Sequence, residues 1–298
     1  MDDRKYSISP DALYARLGSE AAPIIVDVRR DADFADASTL VADAFHCSPD
    51  HVEQWRTDLP SGRQIVTYCI HGREVSQGVA AALRLTGVEA NFLEGGIADW
   101  TEQGLPTRRN IGATPSKWVT REHPKIDRIA CPWLIRRFID PNAEFIYVPK
   151  DQVLAVAQQT GGIPYDIDGV EFTHEGERCS FDTILRIYEI KDPALDHLAT
   201  IVRGADTSRH DLSPQCGGLF AISLGLSANF SDDHEMLGHG MVIYDALYTW
   251  CRSLQDERHN WPPAKPARPA ADVAHDPTNF RGVAPSNHDS AARPATPH

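Results

Sequence analysis

Of the residues able to make or break bonds, Cys69 has the most suggestive neighbours. In the stretch Thr67–Ser76, TYCIHGREVS, the apolar run QIVTY meets a cysteine, Gly72 follows three places later, and the helix-like VSQGVAAALR takes over. Two readings compete. A cysteine at a strand end is commonly a small buried hydrophobe. At the C-terminal end of a parallel strand, ahead of a helix, it also lies on the side of an open α/β sheet where ligands bind. Backbone N–H groups of the loop and helix start converge there into a nest for negative charge. A thiolate in such a nest is stabilised, its pKa falls, and it becomes a nucleophile without an adjacent base. Gly72 permits the positive φ that a tight loop requires. Phosphatase loops of the Cys-x5-Arg type need arginine at position 75, which is Val75, so this loop is one residue too short for phosphate chemistry.

The flanking segments would position such a thiol. ISPDALYARL reads as a helix capped by Ser9, with Pro10 at its first position. PIIVDVR, RQIVTY and the shorter ANFLEGG read as buried parallel strands, and SQGVAAALRLTG between the last two as a helix stopped at Gly87. Strand, helix, strand implies a parallel α/β sheet. GLPTRRNIGATPS carries turn residues and little apolar periodicity, and marks a domain boundary.

Three segments in this order, IIVDVR, CIHGRE followed by VS, and FLEGGIADW followed by GLP, resemble the rhodanese family across residues 6–109. The resemblance implies a rhodanese-like parallel sheet with flanking helices. It also implies a sulfurtransferase in which Cys69 takes a sulfane sulfur from thiosulfate or another small donor, forms a persulfide and hands it to a thiol acceptor. By position, Ile70, His71, Gly72, Arg73 and Glu74 would supply the amides of the cradle. Asp27, Arg29, Gly95 and Gly96 fall on the family's structural signatures. No cofactor is implied. Many loops of the family end in serine, threonine or arginine where Glu74 stands, and a carboxylate there disfavours dianionic thiosulfate.

From Lys117 the texture changes. ACPWLIRRFID reads as an amphipathic helix and AEFIYVP as a strand. DPALDHLATIVRGAD reads as a helix starting at Asp192 and Pro193, and DDHEMLGHGMVIYDALYTWCRSL as a long helix with a break near Gly238 and Gly240. The expectation is a mostly α (α+β) second domain over residues 117–258. HPKIDRIACPWLIRRFIDPNAEFIYVP, FTHEGERCSFDTILRIY and the stretch GADT…GLFAISLGLS…YDALYTWC resemble the C-terminal domain of chromate-resistance proteins of the bacterial ChrB type.

Two features of this half could carry chemistry. Lys117, Arg121, Lys125, Arg128, Arg136 and Arg137 form a positive island in an acidic chain, and arginine forks suit tetrahedral oxyanions, which makes chromate or another oxyanion a candidate ligand. The plainer reading is a solvated face paired with the many carboxylates. His174, Glu175 and Cys179, with His197, Asp206 and His210 downstream, offer metal-ligand types, but no spacing matches a ligand motif and no metal is assigned. His234 and His239 are five apart, whereas a zinc-protease helix needs four. Ser180 could cap the helix FDTILRIYEI and lower the thiol of Cys179, although a buried cysteine is the simpler reading. Trp133, Phe138, Tyr244, Tyr248 and Trp250 fall at helical spacings and read as core.

The 298 residues carry a formal charge of −13, which repels phosphate backbones and speaks against nucleic acid as a partner. Six scattered cysteines without a C-x-x-C pair point to reduced thiols. The start MDDRKYSISP lacks an apolar core and no run is long enough to span a bilayer, so no membrane partner and a cytoplasmic location are expected. Residues 259–298, rich in proline and alanine, read as a disordered tail. The function expected is a persulfide-forming sulfurtransferase associated with chromate resistance. Its rival is a non-enzymatic chromate-responsive regulator with the first domain as scaffold.

Overall fold

In the computed structural model, described over residues 3–60, 62–110 and 116–257, the first half opens with β1 (Ser7–Ile8), α1 (Pro10–Tyr14), β2 (Ile24–Asp27) and α2 (Asp31–Ala35). It continues through β3 (Thr39–Val41), β4 (Phe45–His46), α3 (Val52–Trp55), β5 (Ile65–Tyr68), α4 (Glu74–Leu85), β6 (Ala90–Leu93), α5 (Gly96–Glu102) and β7 (Thr107–Arg109). The predicted tail, residues 259–298, lies outside the described residues.

Five strands make a wholly parallel sheet in the order β1-β6-β5-β2-β4. Every residue of β2 and β5 is buried, which explains their unbroken apolar runs: both faces are covered. Leu13, Ile25, Tyr68, Leu93 and Trp100 pack on one face, and Val26, Ile65, Val79, Leu83 and Phe92 on the other. Ser9 caps α1 through its hydroxyl, and Gly87 takes φ 85° just past α4, both as the sequence predicts. The turn-rich GLPTRRNIGATPS contains a strand that periodicity does not reveal, since β7 pairs antiparallel with β3. Within it, buried Arg108 donates to the Ala44 carbonyl at 2.8 Å.

The second half runs through β8 (Lys117–Arg121), α6 (Asp127–Phe138), β9 (Glu144–Val148), α7 (Val153–Thr160) and β10 (Ile163–Pro164). Four helices follow: α8 (Ser180–Ile187), α9 (Pro193–Asp206), α10 (Cys216–Asn229) and α11 (Asp233–Ser253). A small parallel sheet, β10-β8-β9, sits beside them. Helix α6 departs from the amphipathic reading. It is buried around almost its whole circumference, with Trp133 in contact with the rings of Phe138, Phe181, Tyr244 and Tyr248. Helix α11 departs from the expected break and runs unbroken for 21 residues. Gly240 serves close packing instead, because a Cβ there would collide with Ile129 of α6. Trp133, Phe138, Tyr244 and Tyr248 are core as expected, while Trp250 is half-buried.

Residues up to Asp256 form one compact unit. Asp43 N–H donates to the Phe138 carbonyl at 3.0 Å, and Arg109 N–H to the Tyr188 carbonyl at 2.7 Å. Asp192, the cap of α9, accepts from Tyr14 and Tyr248 hydroxyls at 2.8 and 2.6 Å. Arg252 near the end of α11 donates to the carbonyls of Tyr14, Ala15 and Leu17.

Candidate functional sites

Cys69 follows β5 directly and lies at the foot of a pocket of about 340 Å³, lined by Arg29, Arg30, Asp33, His71, Arg73 and Glu74 among others. The sulfur is buried but reachable from the pocket. Burial pushes the thiol pKa up, and hydrogen bonding outweighs it. The Ser76 hydroxyl, 3.3 Å from Sγ, and the backbone N–H groups of Ser76, Arg73 and His71 hold the pKa below the usual cysteine value. The backbone N–H groups of His71 and Arg73, two of the positions the resemblance assigns to the cradle, are among those that lower the thiol pKa. Ser76, one turn into α4, is the residue sequence reasoning missed, although it stands inside the same ten-residue stretch.

The loop keeps its shape because it rests on the turn before α5. Ile97 N–H donates to the Cys69 carbonyl and Ala98 N–H to the Ile70 carbonyl, both at 3.0 Å. Gly72 and Gly96 have φ of 64° and 63°, and the two backbones touch. A Cβ on Gly72 would strike the Leu93 carbonyl and the Gly95 and Gly96 nitrogens, and one on Gly96 would strike the Cys69 and Ile70 carbonyls. A Cβ on Gly95 would run into Asp99. Only glycines allow this approach. The Gly72 carbonyl is in turn held by the Gln77 amide at 2.9 Å.

Asp27 and Arg29 form a buried pair beneath the pocket. Arg29 Nε reaches both carboxylate oxygens at 2.9–3.0 Å, Tyr68 donates its hydroxyl to Asp27 at 2.9 Å, and Arg29 also binds the Thr39 carbonyl at 3.0 Å. The pair ties the end of β2 to β5 and β3, and Arg29 spends its charge on Asp27. The rim therefore opposes two exposed arginines, Arg30 and Arg73, to two exposed carboxylates, Asp33 and Glu74.

In the second half a cluster forms that no local spacing announces. His174 Nε2 lies 3.5 Å from Asp127 Oδ2, 3.5 Å from Asp166 Oδ1 and 3.2 Å from Asp206 Oδ2. The three carboxylates around it push the imidazole pKa up to about 12. Asp127 is buried at 1% exposure, which raises its carboxyl to about 6 against the pull of His174. It accepts from the first two N–H groups of α8, Ser180 at 2.7 Å and Phe181 at 3.1 Å. Asp166 accepts from the Ser180 hydroxyl at 2.9 Å and pairs with Arg121 and Arg128 at 3.0 and 3.2 Å.

The other metal-ligand types singled out in the sequence lie elsewhere. Glu175 pairs with Arg186, His197 packs on Trp250, and His210 on Phe220. Cys179 is itself the cap of α8, is fully buried, and has a thiol raised well above its usual value by burial and by Asp127 and Asp182. His234 and His239 contact Tyr147 and Phe230 separately. The positive island is largely consumed at home. Lys117 pairs with Glu144, Arg121 and Arg128 with Asp166, and Arg137 with Asp245, while Arg136 lies over the Phe145 ring.

With this geometry in view, comparison with known proteins gives two independent matches. Residues 9–103 match the rhodanese-like domain family, and residues 118–251 match the family described as ChrB, C-terminal domain. Protein ChrB of Cupriavidus metallidurans is 34% identical over 146 residues, covering 49% of this chain and 44% of that protein. The matched part is thus less than half the length of that relative. A sulfurtransferase of Allochromatium vinosum is 27% identical over 99 residues, 33% of this chain and 91% of that protein. A crystal structure of a rhodanese-like domain protein from Staphylococcus aureus is 25% identical, covers 36% of this chain and 98% of its own, and has a TM-score of 0.31. No helix among the described residues is long and apolar enough to cross a membrane.

Proposed function

We propose, from the premise that a rhodanese-like domain is joined here to a ChrB C-terminal domain, that the chain is a sulfurtransferase associated with chromate resistance, carrying sulfur as a persulfide on Cys69. The observation that carries this reading is the Cys69 thiol, held below its usual pKa by one hydroxyl and three amides at the foot of an open pocket.

The reaction has two displacements. The Cys69 thiolate attacks the sulfane sulfur of the donor, a bond forms between the two sulfurs, and the donor's own S–S bond breaks. With thiosulfate, sulfite leaves with the electron pair. The outer sulfur of the persulfide is then attacked by an acceptor thiolate, and the Cys69 thiolate departs with the electrons of the bond it loses. The amides of His71, Arg73 and Ser76 favour the anion before the first step and after the second, so the nest assists both capture and release.

Purified protein mixed with thiosulfate and cyanide is expected to release sulfite. Mass spectrometry after thiosulfate treatment is expected to find one added sulfur atom on the Cys69 peptide. The variant Cys69→Ser is expected to lose both signals, and undiminished turnover in that variant would sink the reading.

A further inference from the structure

We propose that Asp127, His174 and Asp206 form a binding site for a divalent first-row transition-metal cation of the Mn²⁺, Fe²⁺ or Zn²⁺ class, in the second half of the chain and separate from the Cys69 pocket. The three residues come from the first turn of α6, the loop before α8, and the last residue of α9. One ligand atom from each lies within 4.8 Å of the other two.

The two spacings from the imidazole are those of a coordination shell. Ligands about 2.1 Å from a cation in a tetrahedron stand about 3.4 Å from one another. His174 Nε2 lies 3.5 Å from the Asp127 oxygen and 3.2 Å from the Asp206 oxygen. A hydrogen-bonded ion pair explains the set less well. One N–H has one proton and one direction, yet three carboxylate oxygens share Nε2 at nearly equal, long distances. The nearby arginines do not relieve this, since Arg121 and Arg128 are both directed at Asp166 and not at Asp127 or Asp206.

The histidine separates the site from an ordinary acidic patch, and so does the support around it. Asp127 is fixed by the two α8 amides, and Asp166, itself held by two arginines and the Ser180 hydroxyl, lies against the imidazole as an outer carboxylate. Outer partners of this kind orient metal ligands. Two oxygens and one imidazole nitrogen are hard to borderline donors, which suits the proposed cations and disfavours soft ones. The neighbouring thiols are engaged elsewhere: Cys131 Sγ with the other Asp127 oxygen at 3.5 Å, and Cys179 Sγ with Asp182 at 3.4 Å. His174 also opens on a pocket of about 260 Å³ lined by Arg121, Lys150 and Thr173. Three protein ligands with an open side leave room for water or an exchangeable ligand on the cation.

The test uses the full chain, stripped with a chelator and titrated calorimetrically with Mn²⁺ and, separately, Fe²⁺ and Zn²⁺. One equivalent is expected to bind with at least one of them, and to raise the thermal midpoint. His174→Gln and Asp206→Asn are each expected to weaken that binding by about 100-fold or more and to abolish the rise. Cys69→Ala is expected to bind as the wild type does, which removes the thiol of the first pocket as the source. Failure of all three cations to bind stoichiometrically overturns the proposal, as does wild-type affinity in both folded ligand variants, or loss of binding in Cys69→Ala. Should a ligand variant be recovered unfolded, the wild-type midpoint decides: a metal-dependent rise at one equivalent supports the site, and no rise overturns it.

Discussion

Ser76 favours the ionised form of the Cys69 thiol by hydrogen bonding to the anion and not by taking the proton. Its removal has a definite sign. Because the hydroxyl lowers the thiol pKa, Ser76→Ala is expected to raise it and to move the acid limb of the pH–rate profile to higher pH. Alkylation by iodoacetamide at neutral pH should slow by about 2–12-fold, the equivalent of a hydrogen bond of about 0.5–1.5 kcal/mol. An unchanged alkylation rate would remove Ser76 from the nest. Glu74 acts at longer range. It lines the pocket as an exposed residue at the first position of α4, where it repels an anionic donor. Glu74→Gln is expected to raise kcat/KM for thiosulfate by roughly fivefold, as expected for about 1 kcal/mol between charges in water. The gain should shrink at high ionic strength. Equal gains at low and high salt would mean that the substitution acts through loop shape.

At the scale of elements, the site is a contact between two turns, and glycines make it. Gly96→Ala places a Cβ against the Cys69 and Ile70 carbonyls in a backbone conformation with φ of 63°. It is expected to cost about 2–4 kcal/mol in urea unfolding and to lower persulfide formation in parallel. A stable variant with full activity would show the two turns to be independent. This part was legible: the strand ends, Gly72, and the FLEGG segment stand in order along the chain, because a loop followed by a helix writes its chemistry locally. Ser76 was hidden by its helical periodicity, and β3 and β4 by being too short to show alternation. Of the His174 cluster, the sequence offered His174 and Asp206 as ligand types but gave no sign of Asp127 or of their meeting. Asp127, His174 and Asp206 are far apart in sequence, and the packing that brings them together depends on α6 being buried on nearly every side. The tight crossing of α6 and α11 at Gly240 belongs with it, and the sequence read that glycine as a helix break.

Across the whole molecule, the two cores meet through polar groups with their own pH dependence. Asp43, at φ 67°, is buried with Oδ1 lacking a hydrogen-bond partner among the described residues, and burial raises its carboxyl to about 8 against the pull of Arg63, Arg137 and Arg108. The folded chain keeps this proton at a pH where the unfolded chain has released it. Stability from this group is therefore full below about pH 4, and it is lost as the pH rises through the folded value of about 8. Asp43→Asn should flatten that slope, so that its stability relative to wild type improves between pH 5 and about 8.5 in thermal or urea melts. A parallel offset at all pH values would place the titration elsewhere.

The grip of Arg252 on the carbonyls of Tyr14, Ala15 and Leu17, with Tyr248 packed where Gly18 has no side chain, also bears on the history and handling of the chain. Two regions that match separate families share a seam here, and α11 is stitched to the end of α1. A fragment severed at the turn-rich linker would lose that stitch. It would bare the carbonyls at the end of α1 and the surface beneath Tyr248, and would tend toward self-association. Sulfur-transfer measurements on the isolated first module would then report on an altered object, and the intact chain is the proper unit for the biochemistry of Cys69.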